Sequence, residues 1–190
     1  MRLIVALTGA TGMVLGVRFL QALREADGVE VHLIVSKWAQ QTLEHETTVT
    51  MDELRALAAH THPPGDMTAV VSSGSFATDG MVIVPCSMRT LAAVAHGYGD
   101  NLIHRAADVT LKERRPLVLV PRETPLSPIQ LENMLGLARL GVSIMPPMPA
   151  FYNHPESVED IVDHIVGRIL DQVGMPATFS RRWSGEMRRS

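Results

Sequence analysis

The chain has 190 residues, 46% of them hydrophobic, which is enough for one well-buried core and short for two domains. Its 17 Lys and Arg against 20 Asp and Glu give a net charge of -3, which excludes the basic stripe of a nucleic-acid binder and favours a small-molecule ligand. A single cysteine, Cys86, excludes an internal disulfide, and no apolar run reaches the roughly 18 residues that span a bilayer; with no secretory pattern at the start, the expected location is the cytoplasm.

Residues 2–7 form a short apolar run and predict a strand. Residues 12–26 space Val14, Val17, Leu20 and Leu23 at helical intervals, and 29–35 is β-branched again, so the three make a βαβ unit. Residues 37–46 and 51–59 read as helices, and 60–66, HTHPPGD, as a loop. Residues 81–84 and 117–120 are nearly all apolar, as central parallel strands covered on both faces are, with a helix over 104–114 between them. Ser127, Pro128 and Gln130 place a capping Ser, a Pro at the first helical position and a Gln at the third, opening a helix that runs to about Leu140. A last short strand follows over 142–145. Ser157 to Asp160 opens a final helix whose stripe is Ile161, Val162, Ile165, Val166, Ile169 and Val173, stopped by Gly174.

This alternation predicts an α/β fold, flavodoxin-like or Rossmann-like: a doubly wound, mostly parallel sheet in three layers, with ligands at the carboxyl ends of the strands. Residues 1–174 form one domain. Residues 175–190 form a tail in which Arg181, Arg182, Trp183, Arg188 and Arg189 show no period, so it is either disordered or docked on a neighbouring protomer.

The strand ends carry the chemistry. In LTGATGMVLG the glycines stand at Gly9, Gly12 and Gly16, one residue longer in the last step than the dinucleotide fingerprint. Its small residues let backbone amides and a helix N-terminus approach an anion, or else make only a tight turn. After the second strand comes Ser36, where a dinucleotide fold places an acid for the ribose, so a mononucleotide fits better. Ser87 and Thr90 put hydroxyls on a helix's first turn, for a phosphate or a polar ring edge or as a plain cap. Cys86 reads as a packed small hydrophobe rather than a nucleophile. Arg122 and Glu123 set a cation beside a carboxylate at the mouth of the sheet. Residues 146–155, PPMPAFYNHP, form a stiff loop with Tyr152, and Arg168 lies on the next helix opposite Ile165 and Ile169. Arg105 and Lys112, seven apart, share a helix face that is either a cationic stripe or solvated. His60 and His62 have no third and fourth ligand at a recognisable spacing and read as surface histidines; no metal is expected.

Together, TGATG, the Ser36-Lys37 pair, SGSF (73–76), DGMVIVPCSMRTLA (79–92), RAADVTLKERRPLVLVPRETPLS (105–127), LENM (131–134) and FYNHP (151–155) resemble the UbiX-like flavin prenyltransferases, including the branch that accompanies the non-oxidative hydroxyarylic (phenolic) acid decarboxylases. The resemblance covers nearly the whole chain. It implies a large homo-oligomer, a dodecamer, in which reduced FMN accepts a dimethylallyl group from dimethylallyl phosphate at N5 and C6, without a metal. The prenylated FMN then serves a UbiD-like decarboxylase of aromatic acids. By position it implies FMN contacts at Gly9, Ala10, Thr11, Ser36, Ser87, Met88, Arg89, Thr90 and Arg122. It implies dimethylallyl phosphate contacts at Tyr152 and Arg168 with charge from Lys112 and Arg105, proton traffic through Glu123 and Glu46, and a tail aromatic, Trp183, over the site. Thr11 stands where many relatives have Ser.

Competing readings are an FMN-binding oxidoreductase or decarboxylase component acting directly on an aromatic acid, and a flavin-storing accessory protein. An NADP-dependent reductase fits poorly: Tyr98 and Tyr152 are followed four residues later by Leu102 and Glu156, so the Tyr-x-x-x-Lys pair is missing.

Overall fold

The strands are β1 (Arg2–Leu7), β2 (Glu30–Val35), β3 (His60–His62), β4 (Gly80–Cys86), β5 (Leu117–Pro121) and β6 (Ser143–Ile144). The helices are α1 (Met13–Glu25), α2 (Lys37–Glu46), α3 (Met51–Ala56), α4 (Met88–Ala95), α5 (Leu102–Lys112), α6 (Pro128–Arg139) and α7 (Val158–Gln172). They come from a computed structural model that describes residues 1–180 together with Trp183 and Gly185; Arg181, Arg182, Arg188 and Arg189 of the expected tail lie outside the described residues. The strands pair in the order β3-β2-β1-β4-β5-β6, every pair parallel.

Side chains alternate across a strand, and that period divides the core in two. Leu3, Val5 and Leu7 of β1, with Val31 and Leu33 of β2 and Val82 and Val84 of β4, pack under α1, α2, α3 and α7. Ile4 and Ala6, with Ile34, Met81, Ile83, Leu117 and Leu119, pack under α4, α5 and α6. Both faces of the central strands are thus covered, which is why they read as continuous apolar runs. The capping boxes expected at Ser127 with Gln130 and at Ser157 with Asp160 both form, and a third joins Thr50 to Glu53.

Some expectations need correction. His60–His62, expected as loop, is the edge strand β3, with His32 opposite His60 and Ile34 opposite His62. Three residues, largely exposed and followed by two prolines, carry no hydrophobic alternation that would announce a strand. α5 begins two residues early because the Asn101 side chain accepts from the Ile103 and His104 amides. α3 ends at Ala56, and β6 spans only Ser143–Ile144. Val14, one of the residues at helical spacing in α1, is 46% exposed, and Leu15 is buried beside Val17, Leu20 and Leu23.

Strand order reverses between β1 and β4: β2 and β3 extend one way, β5 and β6 the other. At such a point connecting segments leave in opposite directions and a crevice opens beyond the carboxyl ends. Thr8 fastens the two ends: its amide and its hydroxyl donate to the Pro85 carbonyl at 3.1 and 3.0 Å, and the Ser87 amide donates to the Thr8 hydroxyl at 2.7 Å. Among the described residues no helix is long and apolar enough to cross a membrane.

Candidate functional site

A crevice of about 440 Å³ opens at this switch point, lined by Thr8, Gly9, Ser36, Lys37, Trp38, Pro64, Gly65, Ser87, Arg89, Asn101 and His104. Its size is that of a small-molecule site. Three helices begin on its wall: Ser36 caps α2 by accepting from the Ala39 amide, Ser87 caps α4 through the Thr90 amide, and Asn101 caps α5. Converging helix N-termini present free amides and partial positive charge, to which Lys37 and Arg89 add full charge. This arrangement suits an anionic ligand with a flat polar body.

Gly9 is squeezed against α2. A Cβ on it would stand 2.4 Å from the Trp38 Cβ, so only glycine lets the indole-bearing helix approach. Gly12 caps α1 at φ 106°, in the left-handed region that a side chain disfavours. The N-terminus of α1, expected to receive a ligand anion, is occupied by the protein itself: Glu46 Oε2 accepts from the Gly12 and Met13 amides at 2.9 Å each. Burial works against ionisation of Glu46, but hydrogen bonds from the Thr11 hydroxyl and the Met13 and Gly12 amides outweigh it and lower its pKa. Thr11 is therefore tied to Glu46, and the first turn of α1 is closed by a carboxylate of the chain itself.

Of the expected flavin contacts, Gly9, Ser36, Ser87 and Arg89 line the crevice. Ala10 lies in the same turn, its amide bonded to the Thr8 carbonyl. Thr90 is buried behind Ser87, whose hydroxyl donates to it at 3.1 Å, and Met88 packs into the core cluster under α4. Arg122 and Glu123 stand exposed just past β5, the Arg122 amide donating to the Cys86 carbonyl at 3.3 Å and the Thr124 amide to Glu123 Oε1 at 3.1 Å. Cys86 is fully buried and burial drives its thiol pKa far up, which fits packing and not nucleophilic attack.

The remaining cations are elsewhere. Lys112 ends α5, at the other end of that helix from the crevice, paired with Glu113 beside Gly74, and Arg105 donates to the Ser72 carbonyl at 3.1 Å and pairs with Asp108 at 2.8 Å. The SGSF segment between them is pinned by Arg115, which donates to the carbonyls of Gly74 and Phe76. Tyr152 forms a third cluster: its hydroxyl lies 3.3 Å from His164 Nε2 and its ring stands edge-on to Trp183, 5.7 Å between centroids. Arg168 follows His164 by one helical turn and pairs with Asp171 at 2.7 Å. His164 Nδ1 and Asn153 Oδ1 are buried there with no hydrogen-bond partner among the described residues. Lys112 with Arg105, and Tyr152 with Arg168, thus form two further stations: among the described residues no side-chain hydrogen bond or ion pair joins any of the four to the crevice lining.

Sequence reasoning missed Trp38, Asn101 and His104. His104 is 4% exposed, and its Nδ1 donates to Asp100 Oδ1 at 2.8 Å; burial lowers its pKa against the pull of that carboxylate. The signal was the Asn cap three residues before it.

The Flavoprotein family model matches residues 1–170. A probable UbiX-like flavin prenyltransferase of Streptomyces sp. (strain D7) is 63% identical over 97% of this chain and 92% of its own. The chain belongs to the UbiX-like flavin prenyltransferase family. Two solved members of this family superpose at a TM-score of 0.96. One, described as a dodecameric FMN-dependent UbiX-like decarboxylase from Escherichia coli O157:H7, is 60% identical, with 97% of this chain and all of that one covered. The other, AnUbiX (PadA1) in complex with FMN and dimethylallyl pyrophosphate, is 54% identical with 98% of each chain covered. The fold of these structures is therefore shared over 97–98% of the chain.

Proposed function

We infer that this chain is a flavin prenyltransferase: it transfers a dimethylallyl group from dimethylallyl phosphate to reduced FMN and passes prenylated FMN to a UbiD-like decarboxylase of aromatic acids. The observation that carries this reading is the crevice at the β1–β4 switch, where three helix N-termini, Lys37 and Arg89 face a floor kept flat by Gly9. Those residues fit a flavin mononucleotide: hydroxyls and amides for the phosphate, and Trp38 and Gly9 as the wall of an aromatic slot. FMN supplies the nucleophilic N5 and C6 positions to which the prenyl carbons become bonded.

The protein's own work is to hold charge and protons. A departing phosphate needs donors in a water-poor site, and each well-aimed one is worth about 3 to 4 kcal/mol. Lys112, Arg105, Arg168 and the Tyr152 hydroxyl are the donors this reading assigns, with Trp183 over them. Since one chain spreads them over separate stations, the reading requires an oligomer, here a dodecamer, in which a neighbouring chain brings the end of α5 to the crevice. Arg122 completes the flavin contacts. The exposed Glu123 carries the proton traffic, protonating the departing phosphate or relaying the proton lost from the flavin, and Glu46 shares it. The assembly works in the cytoplasm.

Purified protein given FMN, a reductant and dimethylallyl phosphate is expected to yield a flavin heavier by one five-carbon unit in mass spectrometry; an FMN-loaded sample with no mass gain overturns the reading. The description of the Escherichia coli O157:H7 structure as a decarboxylase favours a second reading, direct action on an aromatic acid. Release of carbon dioxide from such an acid by this chain alone, without added prenyl donor, would establish it.

A further inference from the structure

The edge of the sheet carries a cluster that the crevice does not use. In β2, Glu30 and His32 are two residues apart and point to one face; in β3, His60 is the registered partner of His32, so its side chain leaves the same face. Glu30 Oε1 lies 3.1 Å from His32 Nε2 and 3.4 Å from His60 Nε2. The three atoms all fall within 4.8 Å of one another. For bonds of about 2.1 Å, a tetrahedral zinc sets its ligand atoms about 3.4 Å apart. The cluster is therefore already near that spacing, with both imidazoles presenting the same nitrogen to the same carboxylate oxygen.

The outer contacts are those a metal site needs. His32 Nδ1 lies 2.9 Å from His62 Nε2, so a proton on Nδ1 has an acceptor and Nε2 keeps its lone pair for an ion. Arg2 donates to the other oxygen of Glu30 at 3.0 Å, leaving Oε1 turned inward, and its guanidinium is steadied 4.5 Å from the Phe76 ring centre. His32 is 3% exposed and His60 54%, so the ion has one anchored ligand and an open side for entry and for a water as fourth ligand.

We propose that Glu30, His32 and His60 bind one divalent transition-metal ion of the zinc class, which clips the edge strand β3 to β2. The ligand set of two imidazoles and one carboxylate selects zinc or cobalt over magnesium or calcium, which prefer oxygen alone. Because Glu30 is the first residue of β2 and the crevice lies beyond its last, the ion takes no part in prenyl transfer. It fastens a three-residue strand that backbone pairing alone holds weakly.

The test titrates the chelator-treated oligomer with Co²⁺, reading d–d absorption, and then displaces it with Zn²⁺. One Co²⁺ per chain with tetrahedral intensity is expected, and the exposed His60→Ala is expected to lower affinity by more than tenfold without changing FMN binding. His62→Ala, which removes only the outer contact, is expected to weaken binding about 10- to 100-fold. Uptake by the parent protein no greater than by His60→Ala overturns the proposal. So does unchanged affinity in both His60→Ala and Glu30→Gln. Because the reading is binding, its failure is distinct from failure of the prenyl transfer assay.

Discussion

Glu46 Oε2 lies 2.9 Å from the Gly12 amide, so a carboxylate from the last residue of α2 closes the N-terminus of α1. The pairing favours the ionised acid, and its direction fixes a pH dependence. The folded-state pKa is below the ordinary value of 4.5. The contribution is therefore present above that value and fades as pH falls through it toward the folded pKa. Glu46→Gln is expected to lose about 1 kcal/mol at pH 7, as for a charge removed from a partly exposed helix end, and to differ less from the parent at pH 4. Urea unfolding at the two pH values reads this. In single-turnover assays the same variant is expected to keep FMN affinity and to slow transfer on the order of 100-fold; a constant stability gap between the two pH values would sink the charge argument.

Gly9→Ala places a carbon 2.4 Å from the Trp38 Cβ, an atom fixed to the α2 backbone that cannot swing away. Either the turn or the helix must retreat, at about 1 to 3 kcal/mol. The expected result is a lower Tm together with FMN affinity weakened at least tenfold in a fluorescence titration. Full FMN affinity in a folded Gly9→Ala protein would show that the turn does not border the flavin.

The sheet was legible because its central strands are buried on both faces and read as unbroken apolar runs, and because Ser127 and Ser157 sit in capping boxes whose chemistry is local. The site was legible only where it is local too. Gly9, Ser36 and Ser87 were assigned from their places at strand ends, and all three line the crevice. What pairing in space decides stayed hidden: Glu46 reaches back across more than 30 residues to α1, and His60 meets Glu30 and His32 only because a short strand docks in register. His60 and His62 had no acid or further histidine beside them in sequence; the sheet edge brings Glu30 and His32 to them.

Cys86 ends β4 with no solvent exposure, and burial raises its thiol pKa well above the ordinary range. A thiol that stays protonated and enclosed neither attacks nor reacts. Cys86→Ala is expected to retain transfer within about threefold and to cost about 1 kcal/mol in stability, the scale of a small cavity. Maleimide labelling of the native protein is expected to be negligible and to become complete in denaturant. Rapid native labelling, or loss of transfer in a well-folded Cys86→Ala protein, would return the thiol to the mechanism.

Lys112 and Arg89 belong to opposite ends of the same α/β layer, one closing α5 and the other facing the crevice at the start of α4. If neighbouring chains complete each site, then Lys112→Met and Arg89→Ala damage different chains' shares of one centre. Lys112→Met alone is expected to lose on the order of 100-fold in transfer, the loss of one aligned donor, and Arg89→Ala alone to lose transfer at limiting FMN because its crevice holds the flavin weakly. Co-expressed and randomly assembled in equal amounts, they are expected to regain about a quarter of the parent activity, since half the chains keep Arg89 and half of their neighbours supply Lys112. Sites built within single chains would gain nothing from mixing. Activity of the mixed oligomer equal to the mean of its parents, with assembly confirmed by native mass spectrometry, would refute shared construction and leave Lys112 outside the centre.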